Sequence, residues 1–288
     1  MSHNTTNRSL IKIFKGAHIK KKHNRTFPRA VVFDLDETLG SFSDLHTLWE
    51  ALQEKTNKYY PTDFNKLLDL YPEFIRYGII YILEMIYKKK QAGVCDGLYI
   101  YTNNQCSIGW VTLIINYFNY KLKLEETLFD KIIYAFKIDN KRIEPFRTTH
   151  SKTSKDFISC TMMPKNTEIC FIDNSQFSEM KTDRVYYIQP RSFIHSLSTS
   201  QIIHRFTESQ LCKCITDYTD LKRFLFLFFD SKNSIHEENN SFEKQEKDIL
   251  VAQKIMFHIK EFFIITEISE KTRKRKQNLN RITRKKSN

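Results

Sequence analysis

The chain has 288 residues, 41% hydrophobic and 14% aromatic, which is enough to close one large core or two small ones and too much for wholesale disorder. Its longest unbroken apolar runs, such as 224–229, fall far short of the roughly 18 residues a membrane-crossing helix needs, and no apolar stretch follows the basic N-terminus, so a secretory signal is not expected. The net charge of +13 belongs to the ends: residues 1–29 hold eight Lys/Arg and residues 271–288 hold nine, neither with any acid, which leaves 30–270 at −4 and excludes a uniformly basic body.

In chain order, residues 1–29 read as a flexible basic arm, densest at Lys20-Lys21-Lys22 and broken by Pro28. Ala30-Val31-Val32-Phe33 then runs into Asp34-Leu35-Asp36-Glu37-Thr38-Leu39-Gly40. A short apolar run closed by Gly suits a central strand buried on both faces. Asp34 and Asp36, two apart, would share one side at the strand's carboxyl end, where open α/β sheets bind ligands. Residues 41–73 form an insertion of helical character, with Leu45, Leu48, Trp49 and Leu52 at three- and four-residue spacing. Such a helix packs on the core, or, lying after the first strand, helps select a substrate.

Residues 74–90 carry Ile75, Ile79, Ile82, Leu83 and Ile86 on one side of an expected helix, with Lys88-Lys89-Lys90 at its end and Gly93 as its stop. A second apolar strand, 97–101, ends in Thr102-Asn103-Asn104; a helix is expected at 108–120 and an apolar run covers 132–136. Residues 151–159 start a helix with Lys155 in its first turn. A third strand, 167–172, ends in Asp173-Asn174-Ser175, and a fourth, 184–188, is closed by Pro190. An apolar helix at 221–229 completes a domain spanning 30–230. An exposed linker at 231–247, a helix at 248–270 and the basic tail 271–288 follow. The six cysteines show no compact framework, so reduced thiols in the cytoplasm or nucleus are expected.

Strands that end in polar residues and alternate with helices are the pattern of a parallel α/β sheet with a site along one edge. Two carboxylates, hydroxyl and amide groups and a lysine are also what phosphoryl transfer through a carboxylate nucleophile uses, together with a divalent ion. Asp-x-Asp-x-Thr after an apolar strand resembles the first motif of the haloacid dehalogenase (HAD) superfamily, and its fuller form resembles the FCP/SCP branch, phosphatases of phosphoserine in protein tails. The resemblance runs from about residue 30 to 188 and rests on four motifs in order. It implies a Rossmann-like parallel sheet flanked by helices.

By that resemblance, Asp34 would be the nucleophile and a metal ligand, and Asp36 the general acid/base that also lends its backbone carbonyl to the metal. Thr38 would orient the loop. Thr102 resembles the second-motif hydroxyl, with Asn103 beside it, and Lys155 the third-motif lysine, with Lys152 as competitor. Asn174 would complete a Mg²⁺ site, supported by Asp173. Gly40-Ser41 replaces the apolar and His residues usual after the first motif, Arg76-Tyr77-Gly78 stands where Arg-Pro-Gly is frequent, and the insertion is helical where the SCP proteins carry a small β element. The Lys-, Asn- and Ile-rich composition is also similar to FCP-like proteins of large DNA viruses. The implied function is a Mg²⁺-dependent phosphatase of phosphoserine or phosphothreonine in protein. Two alternatives stay open: a nucleic-acid end phosphatase whose basic ends track a polyanion, or a catalytically weak binding module.

Overall fold

The computed structural model describes residues 10–21, 27–56, 61–213, 220–237 and 242–285. Strand β1 (Ile11–Lys15) precedes β2 (Arg29–Phe33), followed by helices α1 (Ser43–Thr56), α2 (Pro61–Asp69) and α3 (Ile79–Gln91). Then come β3 (Gly97–Tyr101), α4 (Ile108–Leu122), β4 (Lys131–Ile133), a small hairpin β5 (Lys137–Ile138) and β6 (Lys141–Arg142), and α5 (Ser154–Thr161). The chain finishes with β7 (Glu168–Ile172), β8 (Val185–Pro190), α6 (Thr199–Thr207), α7 (Gln210–Lys213), α8 (Leu221–Ser231) and α9 (Phe242–Lys285).

Six strands form one sheet in the order β1-β8-β7-β2-β3-β4, all parallel except β1, which pairs antiparallel with β8. The molecule is therefore α/β, with a mostly parallel sheet flanked by helices and compatible with a Rossmann-like fold, as the strand–helix alternation predicts. Every residue of β2, β3 and β7 is buried, because helices cover both faces. Alternation along the strands divides the core. Val31, Phe33, Leu98, Ile100, Cys170, Ile172, Tyr186 and Ile188 face a large layer that includes α1–α4, α6, α8 and α9. Ala30, Val32, Tyr99, Tyr101, Ile169, Phe171 and Tyr187 face a thinner layer made by Phe157 and Cys160 of α5 and by Met180.

Several expectations need correction. The 1–29 arm is not wholly an appendage: Ile11 to Lys15 pair with Pro190 to Tyr186, and Ile11 and Ile19 are buried. Residues 1–9 and 22–26, which hold part of the expected arm, lie outside the described residues. The helix expected from residue 74 begins at Ile79 instead, because the segment before it pairs with the loop after β2. Ser41 N–H donates to Phe74 O (2.8 Å) and Arg76 N–H to Leu39 O (2.9 Å). A side chain at Gly40 would lie 2.5 Å from Phe74 O, so this approach needs glycine. Gly78, at φ +72°, then turns the chain into α3.

The insertion at 41–73 is helical as expected, and Leu45, Leu48, Trp49, Leu52, Phe64, Leu67 and Leu68 are all in the core. The expected linker is much shorter than 231–247. Helix α9 starts at Phe242 and continues to Lys285, so residues 242–247 and most of the basic tail have helical backbone. Its residues Val251, Ile255, Ile259, Phe262 and Phe263 are buried in the core, and α9 contacts β7 and β8. No helix among the described residues is long and apolar enough to cross a membrane.

Candidate active site

β2 connects to β3 on one side while β7 connects to β8 on the other. Between β2 and β7 the connections diverge, and a crevice opens at their carboxyl ends, the place where ligands bind in such sheets. Asp34 N–H donates to Ile172 O (2.9 Å) and Asp173 N–H to Ile188 O (3.2 Å), so both aspartates leave the sheet at this crevice in register.

Lys152 joins them. Its Nζ lies 2.5 Å from Asp34 Oδ1 and 2.6 Å from Asp173 Oδ2, and all three side chains are nearly or fully buried. Burial works against charge on Lys152, yet the carboxylates of Asp173 and Asp34 outweigh it and hold the ammonium above its ordinary range. Burial raises the Asp173 carboxyl, the deeper of the two, against the pull of Lys152. The expected third-motif lysine, Lys155, is exposed on α5 and contributes nothing to this cluster. The reason is register: α5 starts at Ser154, its cap Thr153 accepts from Asp156 N–H, and Lys152 lies just before the cap in the loop that enters the crevice.

That loop is held by a residue the sequence did not single out. The Arg147 guanidinium is buried and donates to Thr102 O (3.0 Å), Tyr134 O (2.8 Å), Asn103 Oδ1 (2.7 Å) and the carbonyls of His150 and Ser151 (3.0 and 3.3 Å). It thereby ties the end of β3 to the approach to Lys152, with its guanidinium over the Tyr101 ring. Asn103, expected to bind phosphate, is engaged by this arginine. Thr102 is fully buried at the end of β3 and its hydroxyl accepts from Asn104 N–H (2.9 Å), which leaves its own proton free to donate.

Thr38 and Asn174 close the other side. Thr38 Oγ1 accepts from Asn174 N–H (3.1 Å) and lies 3.0 Å from Asp34 Oδ2 and 2.8 Å from Asn174 Oδ1. One hydroxyl proton can satisfy only one of those two oxygens, so the other is an open acceptor beside it. An all-oxygen set of Asp34, Asn174 and the Asp36 carbonyl fits a hard divalent ion such as Mg²⁺. The Asn174 amide is itself oriented by Glu37 (3.2 Å) and Ser192 (3.0 Å).

Asp36 stands slightly apart. Asn104 Nδ2 donates to its Oδ2 at 2.8 Å, an unanticipated partner two residues past Thr102. Desolvation raises the Asp36 carboxyl to about 6; the Asn104 bond opposes this and the Asp34 charge adds to it. The loop carrying both carboxylates is pinned by Arg76, whose buried guanidinium donates to Thr38 O (2.6 Å), Glu37 O and Arg191 O (2.9 Å). Glu37 turns there at φ +57°.

Next to Asp36 and Asn104 a polar cleft of about 360 Å³ opens toward α1 and the end of α8. A larger and more apolar cavity, about 490 Å³, is bordered by Tyr77, Tyr81, Ile194 and α9 and touches the site only through Arg76. It is the polar cleft that shares its wall with Asp36. The crevice therefore unites Asp34, Asp36, Thr38, Thr102, Asp173 and Asn174 of the expected set, replaces Lys155 by Lys152, and adds Asn104 and Arg147. No family model, curated protein or solved structure matches this chain.

Proposed function

We propose that this protein is a Mg²⁺-dependent phosphatase of the HAD type, FCP/SCP-like, that acts through an aspartyl-phosphate on phosphoserine or phosphothreonine in protein. The observation that carries the reading is the buried Lys152 bridging Asp34 and Asp173 beside Asp36 at the crevice of a parallel sheet. Asp34 supplies a carboxylate oxygen to attack phosphorus, and the leaving oxygen departs toward Asp36. A carboxyl titrating near neutrality is suited to giving that oxygen its proton and then taking one from the water that hydrolyses the acyl phosphate.

Lys152 and the Thr102 hydroxyl are positioned to offset charge on the phosphoryl oxygens. Asp34, Asn174 and the Asp36 carbonyl would hold the ion, which, when bound, supplies further positive charge to the phosphoryl group. Asp173 acts on Lys152, not on substrate: it fixes the ammonium so that one of its protons remains for the phosphate.

The test is hydrolysis of a generic aryl phosphate with and without Mg²⁺ by the wild type and by Asp34→Asn. Metal-dependent turnover lost in the variant is the expected result. Turnover that survives Asp34→Asn would refute the assignment. A nucleic-acid end phosphatase is the second reading, favoured by the helical backbone of α9 running through the basic stretch to Lys285. It requires activity that drops steeply between low and physiological salt, which a peptide substrate does not.

A further inference from the structure

The polar cleft beside Asp36 has a charge pattern of its own. Glu50, on α1, reaches into it and is met by Lys232 Nζ at 3.1 Å and His46 Nδ1 at 3.8 Å. His46 stacks edge-on against Trp110, with ring centroids 4.6 Å apart, and burial holds its pKa below the ordinary histidine value. Lys232 is the C-cap residue of α8, about half exposed, and it reaches the cleft from the rim. Lys232 is the one lysine or arginine in the lining of the cleft, so without it Glu50 would face the cleft with neither beside it. Glu50 is fixed on a helix packed into the core, whereas its partner sits on an exposed helix end. Of the two, Lys232 is the one a ligand can displace.

We propose that this cleft is the leaving-group subsite and that Glu50 reads a basic side chain flanking the phosphorylated residue, with Lys232 occupying that place in the free protein. The inference rests on the phosphatase reading and deepens it. An anionic flank would meet the Glu50 carboxylate, and a like charge so placed acts as a specificity element. The α1 insertion then does two things: its apolar side fills the core and its polar side reads the substrate.

The experiment compares phosphate release from three phosphoserine peptides that carry Lys, Gln or Glu at both flanking positions. The wild type should favour the Lys over the Glu peptide by about tenfold in kcat/KM. Glu50→Gln should bring that ratio to within about twofold, Glu50→Lys should invert it, and Lys232→Gln should raise kcat/KM on the Lys peptide by about threefold. Each readout is a ratio or a gain, so a general loss of activity cannot mimic it. A wild-type ratio near or below one, or one unchanged in Glu50→Gln, overturns the inference. If the wild type hydrolyses no aryl phosphate, the phosphatase reading fails on its own. The cleft is then judged by calorimetric binding of the same peptides, where equal affinities would overturn it and a Glu50-dependent preference for Lys would uphold it.

Discussion

Lys152 contacts two buried carboxylates, and its removal leaves Asp34 and Asp173 facing each other without compensation. Lys152→Ala should therefore lower stability by about 3–5 kcal/mol, seen as a shift in the urea midpoint, and lower kcat by about 10²-fold or more. Lys155→Ala should stay within about 0.5 kcal/mol and leave turnover unchanged. If both variants behave alike, the lysine assignment is wrong. The two lysines look equivalent in sequence, since both fall where an α5 start is legible. Only the capping register separates them: Thr153 as cap leaves Lys152 in the loop and places Lys155 on the helix surface. Asp34, Asp36, Thr38, Thr102, Asp173 and Asn174 were legible because the apolar strands mark where the sheet ends and the polar residues after them follow the order of motifs in the family the sequence resembles. Arg147 and Asn104 were not, because a loop arginine and the second of two adjacent asparagines carry no periodic signal.

At the level of elements, the loop of residues 147–153 works as a strut. Arg147 clamps it to β3, while buried Asp156 accepts from Thr148 N–H and Oγ1, both at 2.9 Å. Arg147→Lys keeps the charge but loses the planar fork that reaches five acceptors. Its amides at 148–152 should exchange hydrogen faster, and kcat should fall about tenfold through a misplaced Lys152. Hydrogen exchange with unchanged protection there would argue against the strut. β1 was missed because its lysines belong to a basic region; the apolar alternation of Ile11 and Ile13 is short and lies on an edge. The early start of α9 was missed because residues 243–247 carry no apolar periodicity, although Glu, Lys and Gln favour helix and Lys247 meets Glu243 one turn away. Packing further along and the contact of Arg191 with Asp248 (2.6 Å) add tertiary support there, whereas β1 rests on tertiary pairing alone.

Across the whole molecule, α9 covers the sheet's large face near β7 and β8, and Phe262→Ala should cost about 3–5 kcal/mol in chemical unfolding. The helix is also tied electrostatically. Against the desolvation that raises it, hydrogen bonds from Lys15, Tyr186 and His258 bring the Glu261 carboxyl down to about 2. A depressed acid contributes stability that is fully present above its unfolded value of 4.5 and is lost as pH falls toward 2. Glu261→Gln should flatten the pH dependence of unfolding in that window; an unchanged slope would mean the tie contributes nothing.

The Lys15–Glu261 contact (2.6 Å) has one more consequence, which concerns the order of assembly. It joins a strand to a helix residue synthesised 246 positions later. A nascent chain that has released only residues up to about 230 has β7 and β8 in hand but not the helix that covers them. Closing a loop of this length carries an entropic cost that is met before α9 buries its apolar side. Until α9 emerges, the ribosome-bound chain carries an open hydrophobic face, the kind of surface that makes folding intermediates prone to aggregate.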